Sequence, residues 1–210
     1  MTLIEVLVVI LIIGVLVAML VPTRSFSGPA RLPRCMSNLH QQAVAFWGWA
    51  ADNRADFPMQ ISTNHGGSRE YNSGHDAFQH FALLAPYLDH GINETKLLVC
   101  PADERTPAFQ FALLDNSHLS YFIGLEASTN SPDAFLAGDR FITNDLPGEA
   151  GVVKLSAVST IRWTGGHKSS TERFRGVVGF SDGHVESPKL ASLQTRLTNL
   201  QARTVRLLVP

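Results

Sequence analysis

The chain has 210 residues, of which 45% are hydrophobic and 17% charged, and its formal net charge is -1. That balance leaves no electrostatic footprint for nucleic acid, and the length accommodates an N-terminal apolar segment plus one domain of about 150 to 180 residues. With 16 Gly and 11 Pro the domain is expected to be rich in loops, and neither a low-complexity block nor an internal repeat is visible.

The first stretch, Met1 to Pro22, reads MTLIEVLVVILIIGVLVAMLVP and has no charged or polar side chain between Val6 and Val21. Counting Leu3 and Ile4, it would extend about 28 Å as a helix and so cross a bilayer. A transmembrane helix is therefore expected over residues 1–22. It is apolar on every face, which suits lipid or the inside of a bundle rather than a surface. Glu5 breaks the pattern. An ionised carboxylate near hydrocarbon costs on the order of a few kcal/mol and asks for a cation, the nearest being the α-amino group of Met1 or of a neighbouring copy; a place in the headgroup zone is the alternative.

The order TLIEVLVVILIIGVLVAMLVP, with its acid followed by a long β-branched and leucine-rich run, Gly14, Ala18 and Pro22, resembles the N-terminal segment of type IV pilins and of the pseudopilins of type II secretion. Met1 stands where that family most often has Phe. The resemblance implies an inner-membrane, single-pass subunit that a prepilin peptidase trims and N-methylates, with its following domain in the periplasm or on the cell surface. It also implies that Glu5 neutralises the N-terminal amine of an adjacent subunit during assembly. Read by charge alone, Arg24, Arg31 and Arg34 after the span would instead hold the domain on the cytoplasmic side.

Pro22, Gly28, Pro29 and Pro33 predict a hinge or linker over residues 23–33, followed by a soluble α+β domain over 34–210. A helix is expected from Cys35, with Leu39, Ala43, Phe46, Trp47 and Ala50 on the inner face and Asn38, Gln41, Gln42 and Trp49 on the outer one, ending near Asn53 before Pro58. Residues 63–74 read as an exposed loop. His75 to Leu88 reads as a short helix with Phe78, Phe81, Leu84 and Tyr87 inward.

Strands are expected at Leu97 to Cys100, Phe109 to Leu114, Leu119 to Ile123, Phe135 to Gly138, Val152 to Leu155 and Ile161 to Thr164. Gly176 to Ser181 and His184 to Glu186 flank Asp182 and Gly183, predicting a hairpin with a two-residue type I′ turn. The leucines at 190, 193, 197 and 200 predict an amphipathic C-terminal helix. The expected architecture is thus α+β, a helix packed on a small antiparallel sheet behind a transmembrane helix.

The segment CMSNLHQQAVAFWGWAADNRADFP at Cys35 to Pro58, together with VCPAD at Val99, LSYFI at Leu119, LAGDR at Leu136, VGFSDGHVE at Val178 and the closing RLLVP, resembles a narrower set of pilin-like proteins with a C-terminal DG motif, abundant in planctomycetes. His167 with Asp182 and Gly183 resembles the His…DG arrangement of that set, at a longer interval.

Cys35 and Cys100 are the only cysteines. Joined as a disulfide they would close a loop of about 65 residues, worth roughly 4 kcal/mol in the chain-entropy picture; two separate thiols are the other arrangement. Neither belongs to a CxxC nor has a close His at ligand spacing, which speaks against a metal pair. The histidines at 65, 75, 80, 90, 118, 167 and 184 form no HExxH or other convergent spacing. Asp133, Asp139, Asp145 and Glu149 lie in a Gly- and Pro-bearing stretch that could offer oxygen ligands to calcium, the one cofactor suggested.

No GxSxG elbow, P-loop or GxGxxG occurs, so no catalytic residue is assigned and a non-enzymatic protein is expected. The function the resemblance implies is that of a pilin-like or pseudopilin structural subunit, with copies of itself, other pilin-like subunits, the inner membrane and prepilin peptidase as partners. A non-polymerising anchored binding domain and a metal-dependent hydrolase are the alternatives.

Overall fold

The structure, a computed structural model, describes residues 2–20 (side chains of 18–20 excepted), 31–88, 94–145, 151–169, 172–199 and 204–210. The chain divides into two units, Met1–Ala30 and Arg31–Pro210. The first consists of helix α1, Leu3–Leu20, 18 residues long. At 1.5 Å per residue it measures about 27 Å. No helix among the described residues is long and apolar enough to cross a membrane, which corrects the transmembrane helix expected over 1–22. The side chains of α1 that are described are all exposed.

The second unit opens with α2, Arg31–Asp52. Residues 31–33 are therefore its first turn rather than linker, because Pro33 sits where a helix needs no donor; 23–30 lie outside the described residues. Two short helices follow, α3 at Phe78–Ala82 and α4 at Ala85–Leu88, in place of the single one expected over 75–88. Pro86 cannot donate to the carbonyl four residues back, so the helix restarts. Phe81, Leu84 and Leu88 of this pair are buried, while Phe78 and Tyr87 are half-buried.

Ten strands come next among the described residues: β1 Tyr121–Gly124, β2 Phe135–Asp139, β3 Ile142–Asn144, β4 Val152–Leu155, β5 Ile161–Trp163, β6 His167–Lys168, β7 Phe174–Arg175, β8 Val178–Phe180, β9 Val185–Glu186 and, after helix α5 at Leu190–Asn199, β10 Val205–Leu208. Six of them form a sheet in the order β4-β10-β1-β2-β8-β9, antiparallel throughout. β3 pairs with β5 and β6 with β7 in two small ribbons.

Both faces of β1 and β2 are covered, so these strands are buried at every position, and all of those positions but Asp139 and the phenol of Tyr121 are apolar. From β1, Tyr121 and Ile123 join the cluster built on α2 with Leu39, Phe46 and Phe81. Phe122, between them, joins the opposite cluster of Phe135, Val178, Phe180, Leu193 and Leu197, where α5 lies. The C-terminal VRLL completes this sheet beside β1 and β4, so the leucine spacing of the tail predicts only α5 and not the strand that follows it.

Several local expectations are corrected. Trp49 of α2 is buried at 4% exposure and Trp47 lies outward at 40%, the reverse of the expected faces. Trp47 Nε1 instead donates to the Ser181 carbonyl at 2.7 Å. Asn38 and Gln42, expected outside, are buried. The segments at 97–100 and 109–114 are not strands but 3₁₀ turns, Glu94–Leu98 and Phe111–Leu113.

The β8–β9 hairpin forms, but Gly183 N–H donates to Phe180 O and Phe180 N–H to His184 O, leaving Ser181, Asp182 and Gly183 in a three-residue loop. Gly183 alone takes positive φ, +90°, as in a type I turn closed by a left-handed glycine, where type I′ would need two such residues.

His80 is fully buried, with Nδ1 2.7 Å from Ser68 Oγ. Burial holds its pKa down at about 4, so between the unfolded value near 6.5 and about 4 the unfolded chain binds the extra proton and stability falls as pH falls. Urea unfolding of the chain is expected to show a loss of about 3 kcal/mol from this group across that window. His80→Gln, which cannot titrate there, is expected to abolish that share of the loss.

Candidate functional site

Two places among the described residues carry chemistry. At the start of α1, the Glu5 carboxylate accepts the Thr2 backbone N–H at 2.6 Å while Glu5 N–H donates to the Thr2 carbonyl at 3.1 Å. This is half of the reciprocal arrangement that a Thr-x-x-Glu sequence makes at a helix N-terminus. The acid thus has a partner within its own helix, which the spacing of Thr2 and Glu5 could have revealed. Met1 lies outside the described residues.

The second place is in the Arg31–Pro210 unit. Four buried side chains, Cys35, Cys100, Asp139 and His167, bring one ligating atom each to within 4.8 Å of one another. Each comes from a different part of the fold. Cys35 is in the second turn of α2. Cys100 follows the 3₁₀ turn Glu94–Leu98, and its segment is held onto α2 by two buried amides: Gln42 Nε2 donates to Leu97 O at 2.6 Å and Asn38 Nδ2 to Val99 O at 3.1 Å. Ser120 N–H, just ahead of β1, donates to Leu98 O at 2.9 Å.

Asp139 ends β2, directly opposite Tyr121 of β1, and His167 starts β6. Asp139 is clamped to the strand beyond: its N–H donates to Val177 O at 2.9 Å and its Oδ2 accepts Val177 N–H at 2.8 Å.

Within the cluster, Cys35 Sγ donates to Asp139 Oδ1 at 3.3 Å and lies 3.3 Å from Tyr121 Oη. Cys100 Sγ lies 3.3 Å from His167 Nε2 and receives the Ala102 N–H at 3.5 Å. His167 Nε2 is 3.8 Å from Asp139 Oδ2. Burial pushes the Cys35 thiol up, with its hydrogen bond to Cys100 and the Asp139 charge adding to the effect. The Cys35 hydrogen bond draws Cys100 down, aided by His167 and opposed by burial. Asp139 is raised well above the carboxylate range by burial and by the charge of Cys100. Negative charge is thus crowded into a space where each added anion raises the others.

Nearby, the Arg140 guanidinium holds Asp103 in a two-point pair at 2.7 and 3.0 Å. Burial pulls the Asp103 carboxyl up, but hydrogen bonds from Arg140 and Ser120 outweigh it and leave the pKa lowered.

Cys35 and Cys100, the candidate disulfide pair, do meet, but as free thiols, in a set that includes two further donors. The calcium candidates do not come together. Asp133 is exposed in the turn before β2, Asp145 pairs with Arg162 at 2.8 Å, Glu149 lies outside the described residues, and Asp139 is drawn into a cluster of thiols and an imidazole unlike the all-oxygen shell calcium takes.

Of the remaining histidines, His118 and His184 pair with Asp115 and Asp182 at 2.8 and 2.7 Å. His65 and His75 are exposed, and His90 is outside the described residues. The Cys–Cys–Asp–His set escaped the sequence because its members are far apart in the chain, His167 standing 67 residues after Cys100; the VCPAD and LAGDR segments that carry Cys100 and Asp139 were visible only as pieces of a resemblance.

No family model, curated protein or solved structure matches the chain.

Gln42 is the amide whose loss should loosen this site without touching it. Gln42→Ala strands the half-buried Leu97 carbonyl, a cost of about 1 kcal/mol. Urea unfolding is expected to show that loss, and a thiol reagent is expected to label Cys100 faster in the folded variant than in the parent.

Proposed function

We propose that the chain is a pilin-like, non-enzymatic structural subunit whose N-terminal helix packs against those of neighbouring copies, or of related subunits, in a filament of the type II secretion or type IV pilus kind in the periplasm or at the cell surface. Processing by a prepilin peptidase belongs to the same reading. The observation that carries it is the surface of α1, where thirteen large aliphatic side chains from Leu3 to Val17 are exposed. Each is worth about 1.5–3 kcal/mol when taken from water, and an apolar surface of this extent marks an association site.

The shape of that surface favours many copies over one partner. The apolar residues surround the helix, so a groove on a single protein would cover only a stripe. A bundle of like helices covers every side. Gly14 has nothing within 4 Å of where a Cβ would stand, leaving a notch that lets a second backbone approach closely. Inside such a bundle the Glu5 charge is weakly screened, and the α-amino group of an adjacent subunit would register it.

Two substitutions separate assembly from helix capping. Glu5→Gln retains an acceptor for the Thr2 N–H, since Gln also serves in a capping box, but removes the charge. Filament yield, read by electron microscopy and sedimentation, is expected to fall at least about tenfold in both Glu5→Ala and Glu5→Gln, as a few kcal/mol of lost charge pairing dictates. Full assembly of Glu5→Gln would reduce Glu5 to a cap, and a parent chain that stays monomeric would remove the filament reading altogether. Gly14→Leu is expected to impair assembly while leaving the unfolding of the Arg31–Pro210 unit unchanged.

A further inference from the structure

The four-residue cluster lies within the Arg31–Pro210 unit, and its composition is costly for a core. Two thiols, a carboxylate and an imidazole are buried together, and no Lys or Arg is among the partners described for Asp139. An uncompensated buried anion is expensive, and a metal ion is one of the few ways such groups are satisfied. We infer that Cys35, Cys100, Asp139 and His167 form a closed tetrahedral site for one thiophilic divalent cation, Zn²⁺ above all, which fastens α2, the segment ending at Cys100, β2 and β6 to one another.

The spacing fits. With metal–ligand bonds of about 2.0–2.3 Å, the edges of a tetrahedral zinc site are roughly 3.3–3.8 Å long. The separations Cys35 Sγ–Asp139 Oδ1 and Cys100 Sγ–His167 Nε2 are 3.3 Å each, His167 Nε2 lies 3.8 Å from the second Asp139 oxygen, Oδ2, and one ligating atom from each of the four residues falls within 4.8 Å of the others. Thiolate and imidazole donors select zinc over magnesium or calcium. All four donors are buried, as in sites that hold structure, whereas a catalytic zinc keeps one position for water or substrate.

The ligating forms are two thiolates and a carboxylate, so binding releases to solvent whatever protons Cys35, Cys100 and Asp139 carry beforehand. With a neutral imidazole, the two thiolates and the carboxylate leave the occupied site one negative charge in excess. Hydrogen-bond donors are already aimed at that excess: Val177 N–H at Asp139 Oδ2, Ala102 N–H at Cys100 Sγ, and Tyr121 O–H, which donates to Cys35 Sγ once that sulfur has lost its proton. Such donors orient ligands and tune a bound metal.

The rival outcome for the same pair of sulfurs is a disulfide, and one experiment decides between them. The full chain is purified in mild detergent with reductant and no chelator, refilled with zinc, desalted and assayed by elemental analysis. The expected result is about one zinc per chain, with a fall of about 10 °C in the thermal midpoint when a chelator strips it. Replacement by Co²⁺ is expected to give thiolate-to-cobalt charge transfer and the intense visible bands of a tetrahedral site, both weakened in Cys100→Ser and in His167→Gln. Should those variants fail to fold, the cobalt spectrum of the unsubstituted chain still decides.

Less than half an equivalent of zinc after refilling, a cobalt spectrum of octahedral type, or a Cys35–Cys100 disulfide in protein taken from its native host would each overturn the inference. None of these results bears on whether α1 assembles.

Discussion

Asp139 has no solvent-exposed surface, yet its carboxylate sits where four parts of the α+β unit meet. Its backbone and side chain together grip Val177, its register partner is Tyr121, and its other oxygen faces the Cys35 thiol on α2. Moving β1 past β2 by one residue would put Tyr121 and Asp139 on opposite faces of the sheet, because side chains alternate along a strand. The register of the two central strands and the seat of α2 are therefore a single constraint. With zinc in place, its charge offsets the cost of burying this group.

That constraint explains features of α2 that its apolar pattern does not. A helix lying on a sheet needs only a stripe of Leu, Ala and Phe, and Leu39, Ala43, Phe46 and Ala50 supply it. Asn38 and Gln42 are buried as well, and their amides take the carbonyls of Val99 and Leu97. Those carbonyls would otherwise be costly orphans, since buried polar groups require partners. The same two bonds place Cys100 beside His167. The amides thus replace the neighbouring strand that Leu97 to Cys100 would need to become a strand itself.

The N-terminal helix follows a different logic. Its described side chains, Glu5 apart, are apolar around the whole circumference and exposed, so the helix itself supplies no core of its own. Glu5 serves its own helix first, by holding the Thr2 N–H. A carboxylate accepts more than one hydrogen bond, and so the capping contact leaves room for a cation from a neighbour. Capping and assembly are compatible roles for one side chain, and charge is what separates them.

Composition and periodicity alone determined the α+β class, the amphipathic helix beginning near Cys35, the strands at Tyr121, Phe135, Val152 and Ile161, and the hairpin around Asp182 and Gly183, because each rests on interactions within a few residues. Tertiary structure decided the rest. It turned Trp49 inward and Trp47 outward, and took Val205–Leu208 into the sheet between two strands far from it in sequence. Only the fold could bring Cys35, Cys100, Asp139 and His167 together, for no local spacing encodes a meeting of four separate segments. A donor set assembled by strand register and by two buried amides exists in space alone.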